Sequence, residues 1–216
     1  MDNVGYIQYC CLMIPMLLSL FVMERRARVL IGSILAGCTV CLFVSELNGL
    51  LYLLLNKDLL FFCTTVSPVT EEVIKSIPIL VYAFLFSDKR KDLVQISFAL
   101  GLGFAIMENM NLLAQSIDTV TVLWAVARCF GAGLMHSLCT VVVGLGISYV
   151  KKKKKLFVTG TLALVMTAIT YHAVYNTIAM SPYKYFGFVL PLATYLPALC
   201  VYFGKRIKVK KEAQKV

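Results

Sequence analysis

Apolar residues run along this chain in long blocks, broken by short polar or basic patches. Read at about 20 residues per bilayer crossing, the blocks fall near 4–23, 29–46, 69–87, 93–115, 122–149, 156–178 and 186–203. The pattern predicts an all-α bundle of about seven transmembrane helices in a single integral-membrane domain, residues 1–216, with neither an internal repeat nor a Pro/Ser-rich linker. The first block is expected to be a retained helix rather than a signal peptide, because "MDNVG" carries no basic residue and the arginines follow the apolar run. The stretch "GLLYLLLNKDLLFFCTTVSP" is also apolar but holds Asn56, Lys57 and Asp58 at its centre. Residues 49–67 are therefore expected to form an interfacial or re-entrant hairpin and not to span.

Composition agrees: 60% hydrophobic and 15% charged residues, with a mean hydropathy of +0.82, stand far from the roughly 45–50% apolar and about 25% charged of soluble domains. The net charge of +10 raises nucleic acid as a partner, but its distribution argues against one. Most Lys and Arg sit in four tracts beside apolar blocks: "RRAR" (Arg25, Arg26, Arg28), "KRK" (Lys89 to Lys91), "KKKKK" (Lys151 to Lys155) and the tail "KRIKVKKEAQK". These are topology signals, and the positive-inside rule assigns all four to the cytoplasm. The N-terminus is then outside and the C-terminus cytoplasmic, in a multi-pass protein of a cell membrane. For "KKKKK", anionic-lipid binding is the sharper alternative to a pure topology signal.

The eight cysteines lie mostly inside apolar blocks and form no disulfide framework. "CTVC", with Cys38 and Cys41, has redox spacing but lacks a flanking base, so packing is the expected role. The pairs Gly101/Gly103, Gly131/Gly133 and Gly144/Gly146 read as close helix-packing sites rather than phosphate loops.

Ionisable groups inside spans are expensive and point to function. Helix three carries Glu71, Glu72 and Lys75; helix four Glu108, Asn109 and Asn111; helix five Arg128 and His136; helix six His172 and Asn176. Glu71 and Glu72 can each reach Lys75, and His172 lies one turn from Asn176. Counted from the cytoplasmic ends at 1.5 Å per residue, Glu71, Glu108, His136 and His172 all lie about 20–24 Å deep. One shared level on four helices predicts one site, reached by water from outside.

Three carboxylates and two imidazoles, with neither a Ser-His-Asp arrangement nor an aspartyl dyad, point to activated water. Two histidines and a carboxylate make a common zinc set, here Glu108, His136 and His172, with a further Glu as general base. In a metal-free version the same Glu and His residues polarise water directly. Both versions remain open. Lys75 and Arg128 would offset the negative charge, and Asn176 could donate to a developing oxyanion.

"EEVIK", "GFAIMEN", His136 with Gly144 following, and "HAVYN" together resemble the motif series of the PrsW family of intramembrane proteases, itself similar to the CAAX prenyl protease and bacteriocin-processing superfamily. The resemblance covers about residues 69–176, so the core catalytic helices are expected at about 69–178. Glu108 stands where CAAX proteases carry a His, which favours the PrsW branch. The resemblance implies peptide-bond hydrolysis in or just outside a bacterial plasma membrane, with a membrane-anchored anti-sigma factor as a substrate type. It also implies Glu71 and Glu72 as a catalytic pair, with Glu108, His136 and His172 beside them. Lys75, Asn109, Arg128 and Asn176 are expected to orient the others. A non-catalytic scaffold or immunity-type protein on the same fold is the alternative.

Overall fold

A computed structural model describes residues 3–152, 154–197 and 200. Helices α1 (Asn3–Ser19), α2 (Arg25–Leu55), the single turn α3 (Leu59–Phe61), α4 (Ser67–Leu85), α5 (Arg90–Gln115), α6 (Val122–Ile147) and α7 (Lys154–Ala179) follow in order. A 3₁₀ turn, Lys184–Phe186, and helix α8 over 189–197 come last. No strand occurs among the described residues; helices satisfy the backbone of an apolar chain within each segment.

Four helices, α2, α5, α6 and α7, are long and apolar enough to cross a membrane. The basic tracts gather at one end of the bundle. Lys151 Nζ donates to the Phe84 carbonyl at 3.0 Å and Lys152 Nζ to that of Asp88 at 3.3 Å, so this tract closes the C-terminal end of α4 beside Lys89–Lys91. Arg25 and Lys91 line one cavity at the same end. The tail tract lies outside the described residues, as does the end of the last expected helix.

The expected hairpin at 49–67 is corrected in its limits: its arms are continuations of neighbouring helices. α2 runs nine residues past the expected end at 46 and stops only at Asn56, which takes the left-handed conformation (φ 46°) and returns its N–H to the Tyr52 carbonyl. Asp58 then caps α3, accepting from the Phe61 N–H at 2.8 Å. From Leu59 the chain is helical without a break through a π-turn, Phe62–Val66, into α4.

α5 is the central helix, packed against both α2 and α6, while α6 packs on α7. Two apolar clusters flank the middle of the bundle. Ile79, Leu100, Met135, Val143 and Tyr175 belong to one; Met13, Leu35, Cys38, Val44 and Met107 belong to the other. Cys38 and Cys41 are buried in the second cluster without a disulfide, as packing residues. The glycines serve close approach: a Cβ on Gly103 would run into the Ile34 backbone, and one on Gly101 would lie 2.6 Å from the His136 carbonyl oxygen. Gly101 thus lets α5 seat directly against the turn of α6 that carries His136. Gly101→Ala is expected to push the two helices apart and lower stability by about 1–3 kcal/mol, checked by thermal unfolding in detergent.

Candidate active site

The polar residues of four helices meet in one buried network. On α4, the Ser67 hydroxyl donates to Glu71 Oε1 at 2.5 Å, and Lys75 Nζ donates to Glu72 Oε1 at 2.6 Å. Both acids lie within a turn of Lys75, yet the ammonium pairs with Glu72. On α7, His172 Nδ1 lies 2.8 Å from Glu72 Oε1, while its Nε2 faces Glu71 Oε2 at 3.8 Å. On α6, His136 Nδ1 lies 3.0 Å from Lys75 Nζ and its Nε2 lies 3.1 Å from Glu108 Oε2 of α5. Arg128 completes the chain, with Nη2 on Glu108 Oε2 at 3.0 Å and Nε on Asn109 Oδ1 at 3.2 Å.

Eight of the nine expected residues therefore stand in one connected set: Glu71, Glu72, Lys75, Glu108, Asn109, Arg128, His136 and His172. The shared depth read along the sequence corresponds to direct contact. Asn176 is apart from it. Ser67 sends its N–H to the Phe62 carbonyl in the π-turn and Pro68 has none, so the Cys63 carbonyl lacks those helical donors and accepts from Asn176 Nδ2 at 2.9 Å. This makes Asn176 a brace between α7 and the start of α4. Asn176→Ala is expected to remove about 1–2 kcal/mol of stability by stranding that carbonyl, again measured by unfolding in detergent. Asn111, on the same helix as Glu108, is buried with no partner for either amide atom.

Packing fixes the rings. His136 and His172 are fully buried, meet edge to face with centroids 4.9 Å apart, and His136 lies beside Phe104. The Lys75 ammonium sits 4.4 Å from the Phe104 centroid, a favourable position for a cation removed from water.

The protonation pattern follows from the partners. A carboxylate 2.8 Å from His172 Nδ1 requires the N–H on that nitrogen, which leaves Nε2 of the neutral ring as an acceptor. Nε2 and Glu71 Oε2 are both buried, both without a hydrogen-bond partner, and face each other. Two orphaned acceptors need a cation, a proton or a water between them.

That pair is where a metal fits. One donor atom from each of Glu71, His136 and His172 falls within 4.8 Å of the other two, all on buried residues. Tetrahedral ligation at about 2.0–2.2 Å sets donor atoms roughly 3.3–3.6 Å apart, close to the 3.8 Å between His172 and Glu71. Glu72, 2.8 Å from His172 Nδ1, is placed where a carboxylate would orient that imidazole if its Nε2 held a metal. The set differs from the expected Glu108, His136 and His172: Glu71 joins the histidines, while Glu108 is occupied by Arg128 and is 26% exposed.

Glu71 and Glu108 are reached through a cavity of about 320 Å³ between α2, the π-turn and α5, also lined by Asn48, Tyr52, Cys63 and Phe104. Asn48 closes one side: Nδ2 donates to Ser67 at 3.1 Å and Oδ1 accepts from Thr70 at 2.6 Å. Neither Ser67 nor Asn48 was among the expected site residues. Ser67 could have been found as the residue one turn before Glu71, and Asn48 as an amide inside an apolar helix.

No curated protein and no solved structure matches the chain. A family model does, described as PrsW family intramembrane metalloprotease, over residues 25–203. The match extends beyond the motif series to include α2 and the region of α8. The chain is a multi-pass membrane protein with a bilayer around it and a protein as substrate, and it belongs to the PrsW family of intramembrane metalloproteases.

Proposed function

We propose that this protein hydrolyses a peptide bond of a membrane-anchored protein near the extracytoplasmic side of a bacterial plasma membrane, using water activated between Glu71, His136, His172 and Glu108. The observation that carries the reading is the pair of buried, unpartnered acceptors, Glu71 Oε2 and His172 Nε2, facing each other at 3.8 Å, with Glu71 also lining the cavity. Other buried polar atoms, those of Asn111 among them, also lack partners; what sets this pair apart is that a carboxylate oxygen and an imidazole nitrogen face each other, with His136 close enough to complete a set of three donors.

Glu71, His136 and His172 would hold the metal, and their N/O donors suit zinc. A bound zinc ion supplies Lewis acidity and lowers the pKa of water to about 7. Glu72 keeps the His172 proton on Nδ1, so that Nε2 faces Glu71. Glu108 opens on the cavity and is oriented by Arg128, which suits it to take a proton from water at Oε1 or Oε2 and deliver it to the leaving amine. Compared with the sequence expectation, Glu71 and Glu108 exchange roles, and Glu72 becomes a positioning residue.

One contact favours a second reading without metal. The Lys75 ammonium donates to His136 Nδ1, so the proton of a neutral ring lies on Nε2 and points at Glu108. Ligation through Nε2 needs that proton to leave. In this reading Glu71 and His172 polarise water directly, and His136 donates to Glu108. Elemental analysis of purified protein distinguishes the two. About one zinc per chain, lost in His172→Ala and removed by chelator together with activity, is the expected result; full activity in a metal-free sample leaves the Glu–His mechanism.

The substrate class is a membrane-anchored protein, with an anti-sigma factor as the type that the family likeness suggests. A non-catalytic scaffold would leave the membrane proteome unchanged by Glu71→Gln, whereas a protease yields a processed extracytoplasmic fragment only with the wild type. We further propose that α1, α4 and α8 also cross, giving seven spans with the N-terminus outside. The 19 residues of α4 are long enough to span and are extended by α3 and the π-turn; it is Glu71, Glu72 and Lys75 that set α4 apart from the four more apolar helices. Lys155→Cys in a cysteine-free background is expected to react with an impermeant thiol reagent only from the cytoplasmic side. Labelling from outside would overturn the orientation.

A further inference from the structure

α2 and α4 are tied together at one end by the Asn48 bonds to Ser67 and Thr70. Towards their other end they are separated by a cleft of about 1070 Å³, floored by Ile96 and Leu100 of α5. One wall is a stripe of α4 at helical spacing: Ile77, Val81 and Leu85, with exposures of 53%, 48% and 70%. An adjoining cavity of about 370 Å³ continues to the surface and shares Arg25, Tyr82 and Asp92 with it. Arg25, Arg26, Lys89 and Lys91 line this mouth; all four are exposed, and none has a carboxylate partner among the described residues. Asp92 is the acid at the mouth and is engaged by the Ser87 hydroxyl at 2.6 Å. Two helix N-termini, those of α2 and α5, open on the same place, and neither Glu24 nor Lys89 caps its helix through a side chain.

We propose that this cleft binds one anionic phospholipid, with its acyl chains along Ile77, Val81 and Leu85 and its phosphate at Arg25, Arg26 and Lys91. The two halves of the site have the two halves of such a molecule: an apolar slot open to the bilayer, and at its end a cluster of cations at headgroup level. Uncapped helix N-termini add oriented N–H groups and positive dipole ends, which suit a phosphate oxygen. Complementary charge selects the lipid over a transmembrane helix of another protein, which would bring an apolar surface but would need acids of its own at the mouth. The site shares no residue with the Glu–His network and uses a different tract from "KKKKK".

Native mass spectrometry of the full chain tests it, after extraction from nanodiscs containing phosphatidylcholine with or without phosphatidylglycerol. One phosphatidylglycerol retained per chain in preference to phosphatidylcholine is expected. Arg25→Gln, Arg26→Gln and Lys91→Gln are each expected to lower its affinity about fivefold, the change that about 1 kcal/mol per basic side chain near a lipid surface gives. Val81→Trp, which fills the slot without altering charge, should abolish retention, whereas Lys154→Gln should leave it unchanged. The proposal is overturned if phosphatidylcholine is retained equally, if Lys154→Gln matches the Arg25 variant, or if Val81→Trp retains lipid normally. It is also overturned if glycerol phosphate alone competes as well as the lipid, or if a co-purifying membrane peptide occupies the cleft instead.

Discussion

Glu71→Gln is expected to slow appearance of the processed fragment by at least about 10³-fold while the protein inserts normally. The substitution keeps the shape of the side chain and the bond to Ser67 but replaces one carboxylate oxygen with an amide. It removes the negative charge opposite His172 Nε2, at 3.8 Å, and with it both the ligand and the polarising group. In the reading without metal, where Glu71 and His172 polarise water directly, losing that group costs about 10²–10⁴ in rate; as a metal ligand Glu71 would be missed at least as much. His172→Ala should fall as far, and the double variant hardly further, because groups that act as a unit are strongly non-additive. Glu72→Gln should behave differently. It disturbs the orientation of His172 and should weaken metal binding about 10–100-fold, with activity recovering as zinc is added. Near-normal proteolysis by Glu71→Gln would remove Glu71 from the site.

Lys75→Met is expected to have the largest effect on stability of any single change in the network, about 3–5 kcal/mol. Lys75 is 1% exposed and Glu72 is 0% exposed, with 2.6 Å between their charges. Methionine fills the space but leaves the Glu72 carboxylate buried with His172 as its remaining partner. The contact of the ammonium with Phe104 is lost as well. Glu72→Gln combined with Lys75→Met should be more stable than Lys75→Met alone, since the stranded charge is then gone. The coupling in that double-mutant cycle separates an ion pair from simple packing. Equal stability of Lys75→Met and wild type, by unfolding in detergent, would contradict the pairing.

The site was legible because its residues are costly where they stand. Glu71, Glu108, His136 and His172 interrupt apolar blocks at one depth, and depth can be counted along a helix from sequence. Rotation about the helix axis cannot be counted so well, and the partner assignments depend on it. The three- and four-residue spacings gave Lys75 two equivalent acids, and the tertiary position of His136 and His172 decides that Glu72 receives it. The same rotation sets Glu71 opposite His172 and Glu108 opposite His136, a distinction that counting along each helix does not make. Hydropathy ended the second block at 46 because Glu46 and Asn48 are polar, yet nothing there breaks a helix. The breaker is Asn56, a residue that tolerates the left-handed conformation, followed by the cap Asp58. The brace from Asn176 to Cys63 depends on a π-turn, for which Pro68 was the one local sign.

The length of α2 reaches beyond the active site to the surrounding lipid. α2 has 31 residues, of which Arg25, Arg26 and Arg28 belong at headgroup level; the part after them extends about 40 Å and, at the common tilt of about 20°, covers about 38 Å along the normal of a hydrocarbon layer roughly 30 Å thick. The surplus end carries Leu53 and Leu54, 77% and 71% exposed, and a locally thicker bilayer would keep them in hydrocarbon. Beside it, the 17 residues of α1 cover only about 26 Å. With α1 as a proposed span, helices of such unequal reach side by side favour a step in bilayer thickness near the cavity mouth. Hydrolysis should then vary with the acyl-chain length of the host lipid, since the depth at which a substrate helix meets Glu71 depends on that step.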